Sequence, residues 1–450
     1  MRTGRRTMRA ISILSAMAAT AALVLAACGG GKPATASPSA ASPGADAAAS
    51  ARERADARIR FLEQRAAGDP LDTFSLNSLA IEHLQRARET GDVSELSRAA
   101  DALDRSLAVG ATDNYDAVAL SASLAATRHD FARGADLARQ AIAMKPNGAY
   151  GYGALGDALM GLGDYAGARQ AYDRMLALSP DTSSYSREAL LAAATGGLDA
   201  AAQWWQRALD ATAGDDVPEH AAWVRSQIGT FDFYLRGDLE AARGEYQAAL
   251  DAFPGYVHAL AGLGRVAAAE GDYDAAAGWY TRAIDTVPLP EYVIALGDVY
   301  TAAGEDARAQ DEYDLVEAIR QLYRANGVNL DLQIALFDAD RGRDLQANVA
   351  RAEALYASQP SLQAADALAW ARYAAGDIAG AREASDRALA SGTRDPLVLY
   401  HAAMIARAAG DVAGAEARLE AIEAQAPRFS VRYADAARTA LDDLRAEARR

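Results

Sequence analysis

The chain has 450 residues, of which 51% are hydrophobic and only 7% are aromatic, and its formal net charge is −16. Alanine is the commonest residue, which favours close packing of α-helices and argues against a fold rich in β-strands. An acidic surface repels nucleic acids and anionic lipid headgroups, so we expect neither as a ligand. The single cysteine, Cys28, excludes an internal disulfide.

Residues 1–27 have the pattern of a signal peptide. Four arginines and no acidic residue precede an apolar run, Ile11 to Leu25, that is short for a membrane-spanning helix. The run ends in the sequence LAAC, with Cys28 last, which resembles the bacterial lipobox. In that motif the cysteine thiol is acylated and the chain is cleaved just before it. The resemblance implies that Cys28 carries a lipid and that the protein is anchored on the extracytoplasmic side of a membrane, in the periplasm or at the cell surface. The alternative is a signal-anchor helix with an incidental cysteine.

The region that follows Cys28 shows no periodic pattern of hydrophobic residues. Residues 28–50 are rich in Ala, Ser, Pro and Gly, so they are predicted to form the lipidated end and a flexible tether. From there on, the chain has helical patterns to its end. Residues 51–72 carry Ile59 and Leu62 on one helical face and are predicted to form a capping half-repeat at the N-terminal end.

The stretch from residue 149 to residue 180 shows the repeating unit most fully. Its first part has apolar residues three and four positions apart, as one face of a helix requires. Gly163 is placed to end that helix, because glycine adopts a positive φ at little cost, and Asp164 is placed to cap the next helix. Pro180 ends the second helix because proline has no N–H. Two helices of this length cannot bury their apolar faces alone, so copies of the unit must stack.

Three residue types recur in this chain in a fixed phase, at a period of about 34 residues. Each predicted turn between the two helices of a unit carries a glycine, an alanine follows five residues later, and prolines close most units. The glycines are Gly163, Gly197, Gly237, Gly271, Gly304, Gly376 and Gly410, and the alanines are Ala168, Ala202, Ala242, Ala276, Ala309, Ala381 and Ala415.

This pattern resembles the tetratricopeptide repeat. The resemblance implies an all-α, right-handed superhelical solenoid of about ten helix-turn-helix repeats. It also places Gly156, Gly264 and Gly297 where the two helices of a unit should approach most closely. We assign the repeat array to residues 73–428 and a C-terminal capping helix to residues 429–450. The units are predicted to begin near residues 73, 115, 149, 183, 223, 257, 290, 329, 362 and 396.

Other motifs are better explained by the repeats. The GxGxxG match from Gly151 to Gly156 follows a predicted helix and not a β-strand, so a nucleotide site is not expected. The aspartates between Asp338 and Asp344 lack the glycine and glutamate positions of a calcium-binding EF-hand loop. The five histidines lie in different units, none with a partner at metal-ligand spacing, and no nucleophile motif is present. We therefore expect no enzyme activity, no bound metal and no cofactor.

The resemblance also suggests where a partner binds. In tetratricopeptide arrays the first helix of each unit lines the concave groove, typically at its second, fifth, ninth and twelfth positions. Aromatic residues and arginine are common anchors at interfaces, although any single aromatic here could equally belong to the core between repeats. The candidate groove residues are Tyr150, Asp157, Phe231, Tyr234, His258, Arg265, Trp370, Tyr373, Tyr400 and Arg407.

We expect a membrane-anchored scaffold that binds a protein or peptide in this groove and acts in cell-envelope assembly or secretion. The alternative is an envelope module for a small molecule or a glycan, in which the pairs Phe231/Tyr234 and Trp370/Tyr373 stack on a sugar. A deep closed pocket at either pair would favour the alternative, and an open continuous groove would favour the scaffold. The expected membrane contact is the N-terminal lipid.

Overall fold

The computed structural model describes residues 45–214 and 217–449, with side chains from residue 53 onward within these ranges. This part of the chain consists of 22 α-helices and one π-helical turn joined by loops, without a β-strand. The all-α solenoid predicted from the sequence is confirmed. The predicted signal peptide, Cys28 and most of the predicted tether lie outside the described residues. Within those same ranges, every helix is too short or too polar to span a membrane.

Helix α1 (Ala45–Gly68) precedes the repeats. It begins at Ala45, so the last residues of the predicted tether, up to Ser50, belong to the helix instead. Alanine and arginine, which are abundant from here on, favour a helix over a flexible chain. Ile59 is buried and Leu62 is half-buried against the same core cluster as the first repeat, which is the arrangement expected of a cap.

Ten helix pairs follow. Their first helices begin at or close to the predicted positions, with the largest departure at Pro218, because proline is favoured at the start of a helix. The first helices are α2 (Thr73–Thr90), α4 (Tyr115–Thr127), α6 (Ala149–Gly161), α8 (Thr182–Ala194), α10 (Pro218–Phe231), α12 (Val257–Glu270), α14 (Pro290–Ala302), α16 (Asp331–Asp340), α18 (Leu362–Ala374) and α20 (Pro396–Ala408). The second helices are α3 (Val93–Val109), α5 (Phe131–Met144), α7 (Tyr165–Leu178), α9 (Leu198–Ala211), α11 (Leu239–Ala252), α13 (Tyr273–Thr286), α15 (Asp306–Ala325), α17 (Leu345–Ser358), α19 (Ile378–Leu389) and α21 (Val412–Gln425). Helix α22 (Ala434–Glu447) closes the array.

The turns inside the repeats have the predicted chemistry. Gly163 has a φ of 72°, and the Asp164 side chain caps α7 by accepting from the Gly167 N–H at 2.8 Å. The fourth repeat departs from the prediction by one residue. Its positive φ, 78°, falls at Gly196 and not at Gly197. In the same repeat Ala201 is fully buried, whereas Ala202 is half-buried. Adjacent glycines and adjacent alanines made the two registers indistinguishable in the sequence.

Small residues bring the two helices of a repeat together, as predicted. Gly264, on α12, faces the ring of Tyr280, on α13, and Ala276 is completely buried on the same second helix. Gly156 and Gly297 face the rings of the corresponding tyrosines in their own repeats. The core therefore runs along the solenoid as a series of glycine–tyrosine and alanine contacts between paired helices.

The solenoid winds past one full turn, and its successive turns touch. The His129 Nδ1 donates to the Asn329 carbonyl at 2.6 Å, and the N–H of Leu362 donates to the Tyr165 hydroxyl at 3.0 Å. These contacts join turns inside repeats 2–5 to loops that follow repeats 7–10, and we call this row the inter-turn seam. Three glycines complete the seam by facing backbone carbonyls: Gly163 at Pro360, Gly196 at Gly392 and Gly237 at Gln425.

Candidate binding site on the concave face

Asp157, predicted to face the groove from α6, is held in a buried ion pair. Nε and Nη2 of Arg187 donate to its two carboxylate oxygens at 2.8 and 2.7 Å, and the Tyr172 hydroxyl donates to it at 2.9 Å. Burial, followed by the charge of Asp157, raises the pKa of Tyr172 well above its ordinary value, so the hydroxyl keeps its proton. Asp157 therefore ties α6 to α7 and α8 beneath the face. Tyr150, on the same helix, is half-buried against the core.

The predicted pair Phe231/Tyr234 is split by the structure. Helix α10 ends at Phe231, and residues 232–236 form a π-helical turn, whose wider winding changes the direction of the following side chains. Phe231 is only 5% exposed and lies in a core cluster with Trp205, whereas Tyr234 packs on two other clusters. The prediction that the two rings form one binding pair is therefore wrong.

Arg265 occupies the ninth position of α12 and is surrounded by aromatic rings. Its guanidinium carbon lies 5.0 Å from the ring centroid of Tyr234 and 5.7 Å from that of Phe233, and its Nη1 donates to the Tyr246 hydroxyl at 3.2 Å. Among the described residues, no carboxylate pairs with this guanidinium. A cation–π contact contributes roughly 0.5–2 kcal/mol, and a guanidinium gains more from bidentate bonds to a carboxylate. Arg265 therefore retains the capacity to bind an anionic group.

His258 lies seven residues, or about two helical turns, before Arg265 on the same helix. Its Nδ1 is 2.6 Å from the hydroxyl of Tyr292, on α14. Burial lowers the pKa of His258 to about 4, so the ring is neutral at pH 7 and joins its neighbour by a hydrogen bond without charge. The cationic character of this part of the face therefore rests on Arg265.

Trp370, on α18, is enclosed by other rings. The Tyr373 and His401 rings stack on it with centroid distances of 4.9 and 4.1 Å and interplanar angles of 14°. Its Nε1 donates to Oδ1 of Asp340 at 2.7 Å, and it is 7% exposed. Tyr373 itself is half-buried. Both faces of the indole are occupied, so Trp370 itself offers no free platform for a sugar.

Tyr400 and Arg407, on α20, face the C-terminal end of the array. Tyr400 is 6% exposed, and its ring lies 4.7 Å from that of Tyr433, in the residue before α22. Nη2 of Arg407 lies 3.4 Å from the carboxylate of Asp443, on α22. These two predicted groove residues therefore help to hold the C-terminal cap.

Three charged residues on the concave side were not selected from the sequence. Asp298 is the ninth residue of α14, and Asp340, the last residue of α16, is the twelfth counted from the predicted start of its unit at residue 329. Both positions are among those that the resemblance assigns to the groove. Repeat phase points to both aspartates, but aromatic residues and arginine are the commoner interface anchors. Arg432, which contacts both, lies outside the repeats and carries no periodic signal.

The family model of the tetratricopeptide repeat matches residues 119–183, 154–216 and 232–289. These stretches of the chain are tetratricopeptide repeats. TPR arrays serve as scaffolds for protein–protein interaction, and the helix pairs, turn glycines and buried alanines described above recur beyond the matched stretches. No curated protein matches the chain by sequence.

Several solved TPR-like structures resemble the chain at low sequence identity. BtubC from P. vanneervenii is 23% identical over 44% of this chain and 91% of its own, with a TM-score of 0.35. PilW, described as a type IV pilus biogenesis factor, is 14% identical over 45% of this chain and 92% of its own, with a TM-score of 0.38. YrrB, described as a TPR protein with an unusual peptide-binding site, is 17% identical over 41% and 92%, with a TM-score of 0.28.

A cavity of about 150 Å³ lies between the two turns of the TPR solenoid, beside the inter-turn seam. Phe131 and Leu355 form part of its apolar wall, and Gln359 and Tyr172 are among its polar lining residues. Oε1 of Gln333, which also lines it, is buried without a hydrogen-bond partner among the described residues. A cavity of this size holds a group as large as a benzene ring or a few water molecules.

Proposed function

We propose that this protein is a scaffold, anchored to a membrane through Cys28, that binds a protein or peptide in the concave groove of its TPR array. We further propose that it acts in cell-envelope assembly or secretion. The anchor is supported by the charged start, the apolar run and the LAAC sequence that precede the array. A lipid on Cys28, followed by a flexible tether, would hold the solenoid near a membrane and leave its concave face free to bind a partner.

Arg265 is the observation that carries the binding part of this proposal. Arginine and tyrosine dominate the binding energy of many interfaces, and here Arg265, on the first helix of its repeat, lies against the ring of Tyr234 and donates to the buried Tyr246 hydroxyl. The aromatic rings position the guanidinium without neutralising it. A side-chain or terminal carboxylate of a peptide would supply the paired hydrogen bonds that the guanidinium fork is built to donate.

The binding part is tested by capturing partners from cells that produce the protein, with Arg265→Gln compared to Arg282→Gln. Arg282 is exposed on α13, 4.5 Å from the Trp279 ring, so the control removes the same charge from a similar contact away from the groove. We expect Arg265→Gln to lose partners that the control retains. Identical sets of captured proteins from the two variants contradict the proposal.

The anchor is tested separately with Cys28→Ser. We expect the wild-type chain to incorporate a labelled fatty acid and to fractionate with membranes, and the variant to do neither. Incorporation of fatty acid into Cys28→Ser at the wild-type level would show that the lipid is attached elsewhere.

A second candidate is the binding of a small molecule in the cavity between the turns, favoured by the unpartnered Oε1 of Gln333. Leu355→Trp would fill this cavity. Native mass spectrometry of the purified protein should then show a bound mass in the wild-type chain that the variant lacks. A wild-type chain without any added mass speaks against this candidate.

A further inference from the structure

The loop between α21 and α22 crosses the concave side of the C-terminal repeats. It comprises residues 426–433, with the sequence APRFSVRY. Phe429 is 2% exposed, with its ring 6.1 Å from that of Tyr400 on α20, and Val431 packs against the hydrophobic cluster that includes α14. The loop, which is made of turns, is therefore held by helices that belong to different repeats.

Arg432 makes the polar contacts of this loop. Its Nη2 donates to the carbonyl of Asp340, at the end of α16, at 2.6 Å. Its Nε lies 3.6 Å from the Asp340 carboxylate, and its Nη1 lies 3.5 Å from the carboxylate of Asp298 on α14. One guanidinium thus joins the first helices of repeats 7 and 8 from a point that follows repeat 10.

Tyr433 packs against aromatic rings of repeats 9 and 10. Its ring lies 4.7 Å from that of Tyr400 and 6.2 Å from Trp370, edge-on to the indole, and its hydroxyl donates to the Asp340 carboxylate. The loop therefore presents an arginine followed by an aromatic ring to a surface made of two carboxylates and an aromatic cluster.

The charge of this surface is incomplete without the loop. In the described part of the chain, Asp298 and Asp340 share one other guanidinium, that of Arg341, whose nitrogens lie 2.7 and 3.9 Å from the two carboxylates. If Arg432 leaves this site, the carboxylates of Asp298 and Asp340 have, among the described side chains, only the guanidinium of Arg341 to balance them. Both carboxylates are partly shielded from water, and a desolvated charge is costly without a partner. The surface then favours another guanidinium. Helix α22 lies outside the ten repeats and packs on α21, so its movement does not separate one repeat from the next.

We propose that the segment Phe429–Tyr433 is a built-in occupant of the groove, and that the partner is a peptide presenting an arginine followed by an aromatic residue, which displaces it. The existence of such a partner rests on the proposed function. The recognition chemistry rests on the contacts of Arg432 and Tyr433. Because the occupant is tethered, its effective concentration is high, on the order of millimolar, so a partner binds tightly only when the segment is released or outcompeted.

The test uses the full chain and a fluorescent octapeptide, APRFSVRY, that copies residues 426–433. Fluorescence anisotropy compares the wild-type chain with the double variant Arg432→Ala/Tyr433→Ala. In this variant the tethered segment loses its contacts with Asp298 and Asp340. The variant should bind the octapeptide at least about tenfold more tightly than the wild-type chain, since the tethered competitor is weakened. Adding Asp298→Asn and Asp340→Asn should abolish that gain. An octapeptide with alanine in place of its final arginine and tyrosine should bind neither chain.

Arg428→Ala is the matched control, because Arg428 is exposed in the same loop and its loss removes one charge without touching Asp298 or Asp340. It should bind the octapeptide like the wild-type chain. Equal affinity of the wild-type and released chains, or no binding to either folded chain, overturns the proposal. Far-UV circular dichroism establishes that each variant is folded.

A second measurement needs no variant. Excess octapeptide should increase amide hydrogen exchange of residues 429–447 in the wild-type chain, and unchanged exchange there overturns the proposal even if a variant fails to fold. The two proposals can fail separately. If the octapeptide binds as expected but Arg265→Gln retains every partner, the proposed recognition by Asp298 and Asp340 is supported and the binding role of Arg265 is contradicted. If Arg265→Gln loses partners but the octapeptide never binds, the reverse holds.

Discussion

A Cβ atom on Gly264 would lie 2.9 Å from Cδ2 of Tyr280, so the tyrosine ring occupies the space that any larger residue would need. Gly264→Ala should therefore force the ring or the helix to move and cost roughly 1–3 kcal/mol. Gly244→Ala is the control, because Gly244 is exposed within α11 with no atom near its missing Cβ, and it should stabilise by about 0.4–1 kcal/mol. Chemical denaturation measures both. Destabilisation of similar size in the two variants would contradict this assignment of the helix contact.

The inter-turn seam can be opened by single methyl groups. Gly163→Ala and Gly237→Ala place a Cβ against a carbonyl of the opposing turn. Gly271 and Gly304 have similarly positive φ values, 82° and 77°, but open space around them, so Gly271→Ala and Gly304→Ala carry the same backbone strain without the clash. Small-angle scattering should show a larger radius of gyration for the first two variants only. Equal radii for all four would mean that the turns are not in contact in solution.

The ion pair Asp157–Arg187 is expected to be costly to break from one side. Arg187→Met leaves the Asp157 carboxylate buried and short of its main partner, with an expected loss of about 3–5 kcal/mol. Adding Asp157→Leu to that variant should restore much of the loss, because the remaining uncompensated charge is removed. Unfolding free energies of the two single variants and the double variant measure this. Additive losses would show that the two residues are not coupled.

Glu188 should make the stability of the protein depend on pH. Burial raises its pKa from 4.5 to about 6, opposed by Arg169. The folded state therefore binds the proton more tightly than the unfolded state, and the carboxyl contributes stability below pH 4.5 that is lost as the pH rises to about 6. The unfolding free energy of Glu188→Gln, relative to wild type, should thus rise across this window by about 2 kcal/mol. Asp442→Asn, at an exposed position, is the control. A flat profile for Glu188→Gln contradicts the burial assigned to this carboxyl.

The local architecture was predictable because its causes are local. A turn glycine such as Gly163 and a capping aspartate such as Asp164 act within one or two helical turns, so their types and spacing suffice to locate helices. The position of the turn was wrong by one residue at Gly196 and Gly197, because either of two adjacent glycines can adopt the positive φ of the turn. Phe231 was misplaced because a π-helical turn breaks the 3.6-residue period on which groove positions are counted.

The concave site was less predictable because its contacts are distant in sequence. Repeat phase places Asp298 and Asp340 on the concave side, but it does not say that Arg432 reaches them from beyond the last repeat. That contact depends on the pitch of the whole superhelix, which accumulates from small rotations between repeats. Similarly, no local sequence pattern predicts the hydrogen bond between Tyr165 and Leu362.

The inter-turn seam restricts how many repeats this protein can have. In an open solenoid each repeat touches only its neighbours, so repeats can be gained or lost with little effect on the others. Here His129 and Asn329 are 200 residues apart, and Tyr165 and Leu362 are 197 apart. Removing one repeat between them would shift every later loop by one position and bring the wrong partners together. Growth or loss of repeats should therefore be tolerated at the ends of the array and selected against within the interval that the seam closes.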